Sequence, residues 1–282
     1  IFENKIDLTF SIDEGKKFIV ERINIYGNNI TQENVIRNQL LIDEGDEFNS
    51  ILASKSINNI QSLNIFKSVD SKIIDNENNS KTIDITIEEK ATGEIMAGAG
   101  FGTDGSSLSF AVKENNYLGR GIKLVSELSV SEETIKGQFN VNNPNFRNSD
   151  KSINFNVQSL ETDKLTDSGY KTNKTGFGFG TNFEYQDDVF IGLGQDSYYE
   201  KIETNSSAST RQKSQSGNYW DTFLNLNLNY DKRNQKYRTT DGFVSSYSVN
   251  LPIISENNSL TNAYIFTIYD ELYEDNVTKF SF

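Results

Sequence analysis

The stretch from Glu94 to Gly105 holds the one spacing in the chain with the form of a cofactor site. Gly100-Phe-Gly-Thr-Asp-Gly105 satisfies the G-x-G-x-x-G pattern, which grips a dinucleotide pyrophosphate when its glycines open a helix whose first amides face the phosphates. The next residues are Ser106-Ser-Leu-Ser-Phe-Ala-Val112, an alternation of small polar and apolar side chains that reads as a strand. Without the helix there is no cluster of free amides, so the motif is a hairpin turn on Asp104-Gly105 and no cofactor is expected. The remaining chemistry at this place is that of the backbone. Ile95, Ala97, Ala99 and Phe101 share one phase, and Met96, Gly98, Gly100 and Gly102 share the other. Such a strand is greasy on one face and bare on the other. It pairs weakly, has little side chain to fix its register, and is suited to exchanging hydrogen-bonding partners.

Composition removes most other chemistry. The chain has neither cysteine nor histidine, which excludes disulfides, thiolate nucleophiles, Cys/His zinc sites and His-based triads. No P-loop, nucleophile elbow or EF-hand loop occurs, acidic pairs such as Glu132-Glu133 and Asp187-Asp188 fall at turns, and no enzyme activity or metal is expected. The formal charge is −13. No Lys/Arg cluster interrupts it, so nucleic acid is not an expected partner. No segment reaches the ~18 consecutive apolar residues of a spanning helix. Ile1 opens without the charged-then-apolar pattern of a signal peptide, which places the start inside a mature protein. Low hydropathy does not argue against a membrane location, because barrel strands expose only alternate residues to lipid.

Two kinds of element must position the strand at 95–102. Upstream, residues 5–12 alternate as a strand ending at Glu14-Gly15, and a second strand runs from Phe18 to Tyr26 and stops at Gly27-Asn28-Asn29. Thr31 is placed to N-cap a helix carrying Val35, Ile36 and Leu40. Asn49 or Ser50 caps a second helix with Leu52, Ile57, Ile60 and Leu63 on one face. Strands at Phe66–Ile74 and Thr82–Glu88 close a β-α-α-β-β unit. Downstream of Lys90-Ala-Thr-Gly93 nearly everything alternates with period two. Leu108, Phe110 and Val112 oppose Ser107, Ser109 and Ala111; Phe177, Phe179 and Phe183 oppose Gly176, Gly178 and Gly180; Leu224, Leu226 and Leu228 oppose Asn225, Asn227 and Asn229. About ten complete strands can be counted, with an eleventh starting near Val277. A face so rich in Asn, Ser and Gly suits a wet lumen better than the second layer of a sandwich. Connectors at 161–173, 199–217 and 253–260 fall on one side, with the hairpin at 103–106. Those at 115–120, 142–151, 186–188, 231–241 and 274–276 fall on the other.

Particular residues carry a family resemblance. Phe18-Ile-Val-Glu-Arg-Ile-Asn-Ile-Tyr-Gly-Asn28, Val35-Ile-Arg37, Glu44-Gly-Asp46 and Leu63-Asn-Ile-Phe-Lys-Ser-Val69 resemble a POTRA domain of the BamA family. The turns Asn116-Tyr-Leu-Gly-Arg-Gly121, Asn143-Pro-Asn-Phe146 and Tyr230-Asp-Lys-Arg-Asn-Gln-Lys-Tyr-Arg-Thr-Thr-Asp-Gly242 resemble turns of the barrel of that family, with Thr239 standing where proline is usual. The resemblance implies an α+β POTRA domain at 16–90, preceded at 1–15 by the last strand of another POTRA domain. At 91–282 it implies the N-terminal part of a transmembrane antiparallel β-barrel, ten to eleven of sixteen strands.

The same resemblance implies an outer-membrane location in a Gram-negative bacterium, with POTRA domains in the periplasm. It implies the core of an insertase that folds β-barrel proteins into the membrane without ATP. Expected partners are unfolded outer-membrane proteins, accessory lipoproteins of an assembly complex and the lipid bilayer. The client strand would pair with Ile95, Met96, Ala97, Gly98, Ala99, Gly100, Phe101 and Gly102. A second pairing edge would lie at Phe66, Lys67, Ser68, Val69, Asp70, Ser71, Lys72, Ile73 and Ile74, the rim of the POTRA sheet. A two-partner secretion or TamA-like transporter would share this plan, and a passive porin-like barrel is the remoter alternative.

Overall fold

The computed structural model describes residues 16–102, 105–255, 260–273 and 276–282. The strand expected within residues 1–15 and the tip of the first hairpin at Thr103-Asp104 lie outside them.

The N-terminal module is a three-stranded sheet under two helices. Strand β1 (Ile19–Tyr26) runs parallel to β3 (Ser80–Glu89), and β2 (Phe66–Asp75) pairs antiparallel with β3, giving the order β1-β3-β2. The parallel pair requires a crossover, which α1 (Glu33–Arg37) and α2 (Ser50–Ser62) supply. Their apolar residues meet the inward residues of the sheet in one core: Val20, Ile23, Val35, Ile36, Ile60, Ile65, Val69, Ile83, Ile85 and Ile87 are all buried in it. Asn49 is the cap of α2, its side chain accepting from the amides of Ile51 and Leu52.

The first helix departs from the sequence reading in two ways. It is a single five-residue turn ending at Arg37, so Leu40 lies beyond it. Its N-cap is Gln32, with no side-chain cap. Thr31 is instead buried with its hydroxyl bonded to a distant residue, Asn116. A capping hydroxyl and a docking hydroxyl are alternative uses of one oxygen, and tertiary contact takes it here.

The rest of the chain is one antiparallel sheet in which every strand pairs with its sequence neighbours. It comprises β4 (Gly93–Gly102), β5 (Gly105–Tyr117), β6 (Ile122–Ser131), β7 (Thr134–Asn143), β8 (Ser152–Lys164), β9 (Tyr170–Gln186), β10 (Val189–Thr204), β11 (Gly217–Asp231), β12 (Gly242–Ile254), β13 (Thr261–Tyr273) and β14 (Asn276–Ser281). Register keeps its two faces distinct. Phe110 lies opposite Leu128, Phe139 opposite Val157, Val157 opposite Phe177, and Leu193 opposite Leu226. On the other face Ser109 meets Gly98 and Ser129, Asn140 meets Asn156, and Asn225 meets Gly194 and Asn250. Among the described residues no second layer covers the apolar face, and Phe110, Phe179, Leu228 and Tyr264 are all exposed. A continuous greasy face of that size is untenable in water and natural in lipid. No described helix is long and apolar enough to cross a membrane, which says nothing against crossing by strands.

Several strands outrun the lengths read from sequence. The connector expected at 161–173 shrinks to residues 165–169, and that expected at 199–217 to 205–216, part of it the short helix α3 (Thr210–Ser214). These outer extensions alternate too weakly in hydrophobicity to announce themselves. Polar cross-strand bonds hold them: Lys171 pairs with both Glu161 and Asp163, and Asn173 donates to Glu161.

Candidate strand-pairing site

Strand β4 is the terminal strand of the large sheet. It pairs residue for residue with β5, from Gly93 opposite Glu114 to Gly102 opposite Gly105, and its other edge has no partner among the described residues. The eight residues singled out in sequence, Ile95 to Gly102, therefore line one continuous row of backbone donors and acceptors. Ile95 and Phe101 stand 75% and 90% exposed on the apolar face. The lumen face is nearly level: the hydroxyl oxygens of Ser109 and Ser107 sit 2.8 and 3.1 Å from where β-carbons on Gly98 and Gly100 would be. With glycine at Gly98, Gly100 and Gly102 on that face, few side chains lock the strand, and its hold rests largely on the backbone ladder to β5.

Among the described residues strand β2 is likewise an edge strand, flanked only by β3. Phe66 and Val69 turn into the core, Lys67 and Ser68 approach Glu88 across the pair, and Ile73 stays exposed. The residues from Phe66 to Ile74 thus present a second open row, on the small module. The two edges belong to different sheets and do not form one site.

Between them lies a junction that sequence reading did not identify. Three turns at one end of the large sheet, those with the family-like motifs, rest on the small module. In the first, the Asn116 side chain donates to the Thr31 hydroxyl (2.8 Å) and accepts from the Gly121 amide (2.7 Å), while the Gln32 amide donates to the Gly119 carbonyl (2.8 Å). In the second, Asn34 donates to Asn148 (2.7 Å) and Gln39 to Asn145 (3.2 Å). In the third, the Asn58 amide pairs with the Tyr237 backbone, accepting at 3.0 Å and donating at 3.2 Å. That third turn is tied internally by Asn234, which accepts from the amides of Thr240 and Asp241, and by the Thr239 hydroxyl donating to the Gln235 carbonyl. A cavity of about 140 Å³, lined by Lys55, Asn59, Asp188, Phe190 and Arg233, lies between α2, the third turn and the short connection at 187–188. The junction is polar and partly open, stitched by amides rather than packed.

The first turn needs its glycines. Gly119 and Gly121 have φ of +69° and +65°. A β-carbon on Gly119 would lie 2.0 Å from the Ile30 carbonyl oxygen, and one on Gly121 would lie 2.9 Å from Val35 Cγ1. The backbones of the two domains approach to a distance that no side chain permits.

Glu89 anchors the other side. Its carboxylate accepts from the amides of Ile30 (2.9 Å) and Thr31 (2.6 Å). Partial burial pushes its pKa up, but hydrogen bonds from the Thr31 hydroxyl and amide, Ile30 and Asn29 outweigh this and hold it below the ordinary 4.5. A carboxyl held low contributes stability only while ionised. The contribution is complete above the ordinary value and is lost as pH falls through the lowered one. The exchange protection of the Ile30 and Thr31 amides, taken relative to the intrinsic rate at each pH, should therefore fall on acidification below about pH 4.5. In a Glu89→Gln protein that protection should already be low at neutral pH and should not change across that range.

Both modules have counterparts among known proteins. A model described as the Omp85 superfamily domain matches residues 116–281, and one described as POTRA, surface antigen variable number repeat, matches residues 18–90. The chain is 27% identical over 205 residues to the outer membrane protein assembly factor BamA of Neorickettsia risticii, covering 70% of this chain and 27% of that protein. It is 38% identical over 124 residues to BamA of Buchnera aphidicola, covering 42% of this chain and 20% of that protein. The chain thus spans roughly a quarter of the length of the curated relatives it matches. In fold it resembles the crystal structure of Haemophilus ducreyi BamA lacking POTRA domains 1–3, with TM-score 0.64 and 21% identity over 93% of this chain and 54% of that one. It also resembles CdiB from Escherichia coli, with TM-score 0.58 and 11% identity over 91% of this chain and 52% of that one.

Proposed function

The chain belongs to the Omp85 superfamily, and from that premise we propose that it is the client-pairing part of a machine that inserts β-barrel proteins into the outer membrane. It is an outer-membrane protein with its POTRA domain in the periplasm. The observation that carries the proposal is β4: a ten-residue strand whose outer edge has no partner among the described residues, apolar on one face and nearly bare on the other. An unfolded client in lipid has backbone groups that cost several kcal/mol each, on the order of the desolvation of an unpaired amide. Adding a client strand to β4 satisfies them. The driving energy is that of hydrogen-bond pairing and burial, so no nucleotide and no catalytic residue is required. Weak side-chain definition of register lets the strand release the client once its own strands have closed. The POTRA edge at Phe66–Ile74 offers a second backbone row on the periplasmic side, where unfolded chains and accessory lipoproteins would be met.

A photo-crosslinking residue at Ala97 or Ala99 in the full-length protein tests this. During client assembly both positions should capture an outer-membrane client, and Gly137, in the interior strand β7 of the sheet, should not. Capture no higher at β4 than at Gly137 would sink the reading.

The likeness to CdiB favours keeping a second reading, a POTRA-barrel transporter that passes a polypeptide outward. Reconstituted protein separates the two. An insertase leaves its client protease-protected within the bilayer, whereas a transporter delivers it to the far side.

A further inference from the structure

We propose that Ile30 and Leu118 form an apolar knuckle that enters the periplasmic leaflet of the outer membrane and seats the POTRA domain in lipid beside the foot of β4. Among the described residues of the module, Ile30 is the most exposed large apolar side chain, at 70%, and Leu118 is 69% exposed. Although they belong to different domains, their backbones are near neighbours: the Ile30 carbonyl abuts Gly119, the residue after Leu118. Leu118 also holds φ at +54°, a conformation that disfavours a bulky residue, and its side chain stays largely exposed.

Continuity with the lipid face identifies the occupant. The β5–β6 register shifts between Glu114 and Tyr117, and the shift places Tyr117 opposite Ile122. Ile122 is in the phase of Leu124, which pairs with Val141, and Val141 pairs with Phe155; this is the greasy row of the sheet. The row therefore reaches, through Leu124, Ile122 and Tyr117, the turn that carries Leu118 and against which the Ile30 carbonyl rests. Tyr117 stands where an aromatic ring marks a membrane interface, and Leu118 and Ile30 carry exposed apolar surface on from it at the rim of the sheet. Linker residues come close as well: the Thr92 carbonyl, just before β4, accepts from the Asn115 amide. Lipid held at the knuckle would fix the POTRA domain relative to the bilayer where the gate strand begins.

The inference rests on the outer-membrane location and not on client insertion, so failure of the insertase reading leaves it intact. The described chain contains no cysteine, so Ile30→Cys and Leu118→Cys can each carry the environment-sensitive fluorophore NBD in full-length protein cleared of any other cysteine. In nanodiscs containing doxyl-labelled lipid, quenching at both positions should reach at least half of that at Leu128→Cys on the greasy face. It should exceed several-fold that at Asn78→Cys, at the far end of β3. Quenching no greater than at Asn78 would mean a solvated knuckle and overturn the proposal. A blue-shifted but unquenched probe would mean that protein covers it, and would overturn it equally.

Discussion

A β-carbon on Gly119 should undock the POTRA domain from the barrel. Alanine there must adopt a left-handed conformation, at about 1–2 kcal/mol, and its β-carbon would overlap the Ile30 carbonyl at 2.0 Å. The overlap cannot be relieved by a rotamer because both groups are backbone. The loop around Ile30 must therefore withdraw, breaking the Gln32–Gly119 bond and pulling Thr31 from Asn116, each worth ~1–3 kcal/mol when a buried group is left unsatisfied. Gly119→Ala should cost the junction about 3–5 kcal/mol, enough to convert one orientation into many. Spin-label distances between α2 and the barrel rim should broaden, and the amides of Gln32 and Gly121 should lose exchange protection. Gly137→Ala is the matched control: it meets nothing within 4 Å and should leave both measurements unchanged. A narrow distance distribution in the Gly119→Ala protein would show that the close approach is not what holds the domains together.

Locking β4 should stop client insertion altogether. In the full-length protein, cysteines placed on β4 and on the strand that closes the barrel would bridge the edge that a client must pair with. Because the proposed reaction is pairing at that edge and nothing else, the oxidised protein should lose nearly all activity and regain it on reduction. A lock made on the interior pair β7–β8, where Phe139 faces Val157, should have little effect. Full insertion by the oxidised β4-locked protein would remove strand exchange from the mechanism. The two experiments separate cleanly, since a Gly119 variant loosens the domain junction while leaving the edge open.

The strands are readable because their signal is local. In Leu224-Asn-Leu-Asn-Leu228 the alternation itself states which face meets lipid, and each strand then pairs with its sequence neighbours, as the register of β10, β11 and β12 does. The POTRA order is readable for the same reason: short apolar periods broken by Gly27 and Gly45. Local signal fails where it has more than one use. Thr31 looks like a cap because hydroxyls before helices cap them, yet its oxygen goes to Asn116, 85 residues away. The three Asn- and Gly-rich turns look like turns, and they are. Nothing within eight residues of Asn116, Asn148 or Tyr237 states that all three will rest on one small domain, because their partners lie 85, 114 and 179 residues away. The sequence by itself determined the strands, their faces and the bare character of β4, since a two-residue period needs only neighbours to express it. Tertiary structure alone decided where the POTRA domain sits and which polar groups hold it there, since a hydrogen bond between distant turns exists only once the intervening strands have brought them together.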